Sequence, residues 1–517
     1  MKNRIQRARA LVAASAIAAI AATLAGCAGT GSPKSPQVQA PQPPAMPPES
    51  AALKHIIFLV GDGMGFNTLT AARNYAVGES GDLAIDTLPE SAYVKTYSHD
   101  MQVTDTAAAM SAYMTGLKAN NGQLAVTGCA PAGGAAAPRA PATLLELARK
   151  RGWAAGVVNA ASVTDPLTAA GYAHTCQASR NEEIAAALVP GGAGYNEQLA
   201  GGLDVVLGGG AQYFQKRADG RDLLAELRAQ GYTQAADAAA LAALAAAPGA
   251  GSATSVASAA PATSAAPATS AASPAAAAAA NNRRVVGLFN GALHAPSATA
   301  TAGAGVSANG KEPSLPGMTS AAIDLLARSG KGFFLVVGNG QIGHAQRAST
   351  ARRALDETVA LDAALKTAIA KMQAIDPGLK RTLIVMTASS DSTLILNGYS
   401  IRTGKTTATE PGVLGLVRKY TDGQYYKDLD DVPYTIIGYG NGVNRVQGSR
   451  AGGSLLSDAI VSEAAYRQEA TVRMAPGAAT NGGTDVYLGA IGARAADFRG
   501  TLENTQVHTL IKNAAGW

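Results

Sequence analysis

Short unbroken runs of apolar residues, each closed by glycine or a polar turn, recur along this chain and alternate with amphipathic stretches. Lys54–Val60, Ala154–Asn159, Arg284–Phe289, Gly332–Val337 and Arg381–Met386 have the pattern of strands buried on both faces. Val205-Val206-Leu207 is another, ending in Gly208-Gly209-Gly210. Val432–Ile437 and Thr484–Leu488 are expected to complete the same core. Between these runs, Thr143–Arg151, Asp222–Gln230, Met318–Ser329 and Ala351–Ile375 carry apolar residues at helical spacing. The tail from Gly500 to Ile511 predicts a closing turn and helix. Strands alternating with helices predict an α/β fold, a three-layer sandwich with a mainly parallel central sheet flanked by helices.

Two stretches break the pattern. Residues 28–50 are rich in Pro, Ser and Gln, with five prolines between Pro41 and Pro48, and predict an extended tether. Residues 236–282 are nearly all Ala, Ser, Thr, Pro and Gly, with Ala-Pro-Ala-Thr-Ser repeated at Ala260 and Ala266. Such a segment cannot bury enough surface to offset its ordering entropy, so a disordered insertion is expected, with helix allowed at its alanine-rich ends.

The N-terminus supplies an address. A basic start with Lys2, Arg4, Arg7 and Arg9 precedes an apolar run from Leu11 to Leu24, too short for a typical membrane span. Leu24-Ala25-Gly26-Cys27 resembles a bacterial lipobox, which implies residues 1–27 as a lipoprotein signal with Cys27 lipidated. No aspartate follows Cys27, so an outer-membrane lipoprotein facing the periplasm is expected, held to the membrane by lipid alone. Cys129 and Cys176 would then lie in an oxidising compartment, where a disulfide is their simplest fate. A net charge of +6 over 517 residues, without Lys/Arg clusters interleaved with aromatics, argues against nucleic-acid binding.

Val103-Thr104-Asp105-Thr106 runs into the small-residue stretch Ala107–Thr115. Thr106 is thus placed at, or just before, a helix N-terminus, where it either caps the helix or presents its hydroxyl to an anion. With the strand His55–Val60, then Gly61-Asp62-Gly63-Met64-Gly65, this stretch resembles the alkaline phosphatase family. The resemblance covers most of residues 52–517 and implies Thr106 as the nucleophile, in place of serine, and Asp62 as the metal-bridging aspartate. It also implies two zinc ions and one magnesium beyond the strand ends.

The other ligand positions are changed. Where the family has glutamate, aspartate and histidine after its strand, this chain has Gly338, Gly343 and Arg347, in a register fixed by Ala354-Leu355-Asp356-Glu357-Thr358. The family's T-A-D-H is Thr387-Ala388-Ser389-Ser390, and its T-H-G-G is Thr480-Asn481-Gly482-Gly483. The magnesium-side threonine falls on Leu167, with Thr168 next to it. Asp165 falls where relatives carry a group beside the magnesium. None of the six histidines matches a ligand position, and His344 is expected to be supporting or structural.

Arg180 falls on the family's phosphate-clamping arginine, and Arg347 places a fixed cation where a zinc ligand stood. Thr106, Arg180 and Arg347 are therefore expected to form a metal-free pocket for phosphate, sulfate or a phosphorylated small molecule. The reading is a pseudoenzyme without cofactor; family members are commonly dimers. The alternative is an active phosphomonoesterase needing magnesium or zinc, with Asp391 and Asp485 joining Asp62 and Asp165 in an oxygen-only site.

Overall fold

The computed structural model describes residues 52–129, 138–247, 284–289, 311–398, 400–445, 448–452 and 456–517. The proposed signal, Cys27, the tether and residues 248–282 of the expected insertion lie outside them. Ser50–Trp517 forms one compact unit.

Thirteen strands are described: β1 His55–Gly61, β2 Glu90–Lys95, β3 Ala154–Ser162, β4 Val205–Gly209, β5 Tyr232–Gln234, β6 Arg284–Leu288, β7 Phe333–Asn339, β8 Thr382–Ala388, β9 Leu394–Leu396, β10 Ile437–Gly442, β11 Ala470–Arg473, β12 Val486–Gly492 and β13 Gly500–Glu503. Ten make one sheet in the order β13-β2-β12-β8-β1-β7-β3-β4-β6-β5. Only β12 runs against its neighbours in this sheet, pairing antiparallel with β2 and β8. The sheet is thus mixed, with one reversed strand in a parallel frame.

β1 occupies the middle because it can be buried on both faces. Ile56, Ile57, Phe58, Leu59 and Val60 are all fully buried, each stabilising by about 1.5–3 kcal/mol relative to exposure. Successive side chains point to opposite faces. Phe58 packs edge-on against Tyr113 of the helix Thr106–Thr115, and Phe334 of β7 meets Trp517. On the other face, Gly156 of β3, the register partner of Leu335, looks toward Leu326 of the helix Leu315–Ala327. Helices therefore cover both faces. The long helix Ala351–Ile375 belongs to the second layer, burying Ala354, Leu355, Thr358, Leu361, Leu365, Ala368 and Met372 as one stripe.

The chain departs from the sequence expectation at its polar edges. Residues 432–436 are not a core strand; β10 begins at Ile437 and lies with β9 and β11 in a separate three-stranded sheet. β2, β5 and β13 were not legible as strands. At the alanine-rich start of the expected insertion, where helix was allowed, Ala238–Ala246 is a helix capped by Asp237, with Ala238 and Leu241 buried. Among the described residues, no helix is long and apolar enough to cross a membrane.

Parallel register aligns the strand ends that matter. Gly61 pairs with both Asn339 and Ala388. Asp62, Ser389 and the helix Gly340–Arg347 consequently leave the sheet at one level, beyond its carboxyl edge.

Candidate functional site

Asp62 is the hub of this edge. Its side chain is 1% exposed and accepts three side-chain hydrogen bonds. Thr106 Oγ1 donates to Oδ1 at 2.7 Å, Ser389 Oγ donates to Oδ1 at 2.9 Å, and Arg347 Nη1 donates to Oδ2 at 3.2 Å. Thr106 is free for this because Asp105, not Thr106, caps the helix. The Asp105 carboxylate accepts from Ala108 N at 2.8 Å and from Gly122 N at 2.5 Å. Burial pushes the Asp105 carboxyl above its ordinary range, although these N–H groups favour its charged form.

His344 and Asp165 form a second pair beside the first, Nε2 to Oδ2 at 3.5 Å. Its hydrogen bond to Asp165 raises the His344 pKa against the opposing effect of burial. Burial would raise the Asp165 carboxyl, but His344, the Leu167 N–H and Arg347 together hold it below the usual range. Arg347 is raised as well: burial opposes its charge, and the carboxylates of Asp62 and Asp165 outweigh that.

These groups open into a pocket of about 520 Å³ lined by Asp62, Asp105, Thr106, Asp165, Gln177 and Arg347, among others. Cys176 lies in its wall and is disulfide-bonded to Cys129, with Cα atoms 5.9 Å apart. The bridge fastens the 174–180 segment to the loop after the Thr106 helix, alongside backbone bonds between Leu124 and Thr175.

The structure does not bring all the expected residues together. Arg180 does not line the pocket; its side chain is 58% exposed and engages Gln177 and Glu183 instead. Gln177 and Glu183, three residues to either side, hold the guanidinium outside. Asp391 and Asp485 do not join Asp62 and Asp165. Asp391 is buried beside Gly65 and Gly482, accepting from Thr484, and Asp485 lines a different depression with Lys95 and His99. Asn481 donates to the Thr104 carbonyl at 3.0 Å. The Ser390 hydroxyl is buried without a hydrogen-bond partner.

The metals implied by the resemblance do not fit these residues. A Cβ on Gly343 would stand 1.9 Å from Asp62 Oδ2, so the carboxylate occupies the space a side chain there would need. A Cβ on Gly338 would stand 2.9 Å from Leu167 Cδ2, so a leucine fills what a glutamate would use. Among the described residues, no three His, Cys, Asp or Glu side chains converge to hold a metal. Sequence reasoning missed these fillings and the Ser389 hydrogen bond. It also missed the buried chain behind the site, in which Tyr439 donates to Gln346 and Gln346 to Thr68.

Comparison with known proteins agrees with the fold. The alkaline phosphatase family model matches residues 53–517. A streptomycin-6-phosphate phosphatase from Streptomyces griseus is 43% identical over 134 residues, 25% of this chain and only 28% of that relative's length. A tissue-nonspecific alkaline phosphatase from Gallus gallus is 29% identical over 486 residues, covering 89% of this chain and 84% of the relative. The crystal structure of Thermus thermophilus alkaline phosphatase superposes with a TM-score of 0.58 at 21% identity, covering 90% of this chain and 92% of the other. A cold-active enzyme from Shewanella sp. gives 0.58 at 20%, covering 89% and 99%. With a match across the whole folded unit, this chain belongs to the alkaline phosphatase family.

Proposed function

We propose that this protein is a non-hydrolytic, metal-free member of its family, carried on the bacterial envelope as a periplasm-facing lipoprotein, whose pocket retains weak affinity for a phosphate-type oxyanion. The observation that carries this reading is the state of Asp62. The carboxylate that would bridge metals is instead satisfied by Thr106, Ser389 and Arg347. Arginine supplies a positive charge but has no open coordination position, so it cannot activate an attacking water as zinc does. Guanidinium N–H groups of Arg347 beyond the Asp62 bond supply the anion-binding character. Three carboxylates in the same wall, Asp62, Asp105 and Asp165, keep that affinity low. The envelope assignment rests on the basic, apolar and Leu24–Cys27 segments of the sequence. A homodimer is proposed from family habit alone.

One observation favours a second reading. The 2.7 Å contact of Thr106 with Asp62 puts a hydroxyl within proton-transfer reach of a carboxylate, as a threonine-nucleophile phosphatase would need. One experiment separates the two. The protein without its signal is incubated with excess zinc and magnesium, desalted, and assayed for bound metal and for aryl phosphate turnover beside Thr106→Ala. Near-zero metal, with turnover equal to that of the variant, is expected. Two or more equivalents of zinc, or turnover lost in Thr106→Ala, overturns the first reading.

A further inference from the structure

We infer that the pocket selects an oxyanion carrying a single negative charge, the class of a phosphodiester or a sulfate monoester, over the dianionic phosphomonoester. The inference rests on the anion-binding reading above and names the charge state of the ligand.

The argument is a charge inventory of the described pocket wall. Its ionisable side chains are Asp62, Asp105, Asp165 and Arg347. Asp62 is matched by Arg347 at 3.2 Å. Asp165 is matched by His344, at 3.5 Å, when that histidine is protonated. Asp105 is matched only by the backbone N–H groups of Ala108 and Gly122. Arg180, the cation expected to add to this wall, is held outside it by Gln177 and Glu183.

A ligand therefore enters a field that is negative overall before it contributes any charge. One negative charge can be met by the N–H groups of Arg347 not spent on Asp62; the helix N-terminus adds no net positive charge, because the Asp105 carboxylate already caps it. A second has no cation left to meet it and stands against Asp105 and Asp165. Metal ions would reverse this inventory, but the wall has no donor set to hold them. A pocket of about 520 Å³ leaves room for the neutral arms that a diester or a sulfate ester carries.

The test is isothermal titration of the signal-less protein at a single pH of about 8, where a phosphomonoester is doubly charged. Methyl phosphate and inorganic sulfate serve as dianions, and dimethyl phosphate and methyl sulfate as monoanions. The monoanions are expected to bind roughly tenfold tighter. Arg347→Ala should abolish binding, and Asp105→Asn, which keeps the cap to Ala108, should narrow the gap between the classes. Dianions binding as tightly as monoanions, or a gap unchanged in a folded Asp105→Asn protein, overturns the charge selection alone. Absence of binding by all four probes overturns the anion pocket and the selection with it.

Discussion

Asp62 draws donors from three separate segments, and two of them, Ser389 and Arg347, are residues that the sequence reading sets at lost metal-ligand positions. The guanidinium thus balances a carboxylate that is 1% exposed. Replacing Arg347 with alanine should cost about 2 kcal/mol in urea unfolding, less than for a fully buried pair because Arg347 is 29% exposed. Asp62→Asn in the same chain should recover most of that loss, and a cycle with no coupling would show that the pair carries no weight. Gly343→Ala forces a methyl group to within 1.9 Å of Asp62 Oδ2 and should destabilise by about 1–3 kcal/mol in the same assay. Of this constellation, Asp62, Thr106 and Arg347 were legible because they sit at fixed places in recognisable motifs. Gly343 announced only a missing ligand; that its bareness makes room for a carboxylate needs the third dimension. Arg180 misled because a linear position does not say which way a long side chain turns.

Elements were legible in proportion to how apolar they are. β1 and the helix Ala351–Ile375 stand where their patterns predict, since burial on both faces, or on one stripe, leaves a periodic trace. β13 (Gly500–Glu503) is the edge strand and β2 (Glu90–Lys95) the one beside it; both are partly exposed and polar, and left no such trace. Two buried histidines make element packing sensitive to pH. His55 in β1 and His508 in the helix Asn504–Ala515 both have pKa values lowered to about 4, chiefly by burial. A histidine neutral in the fold but basic when unfolded contributes its full stability above about pH 6.5 and loses it as pH falls toward 4. Burial also raises Asp356 to about 6 and Glu357 to about 7, which acts in the opposite sense over the same range. The absolute curve therefore mixes both signs, and the difference between wild type and His508→Gln isolates one. That difference should shrink by about 3 kcal/mol between pH 7 and pH 4, and a constant difference would rule the histidine out as the source.

For the whole molecule, the family fold is present, and on the function proposed above the chemistry at its sheet edge has been rewritten. The family match runs from residue 53 to 517, yet the positions that the sequence reading sets apart from the family's ligands cluster at and beyond the carboxyl ends of β7 and β8 and in the short helix Pro166–Ala169 that carries Leu167. The Cys129–Cys176 bridge holds two walls of the pocket across a sequence separation of 47. Replacing both cysteines with serine should lower stability by about 2–4 kcal/mol and weaken dimethyl phosphate binding. Unchanged unfolding midpoints would show that the paired backbone of Leu124 and Thr175 suffices alone.

Leu167 lying over Gly338 also bears on how this protein can change. A glutamate restored at position 338 would arrive in a space already taken by a leucine, and an aspartate at 343 would collide with the carboxylate it was meant to assist. At these two positions each such residue, introduced alone, is a defect rather than a partial gain. On the proposed reading, the return to a metal site is uphill at both positions, so the packing acts as a ratchet: drift can elaborate the present pocket more easily than it can reopen these two places.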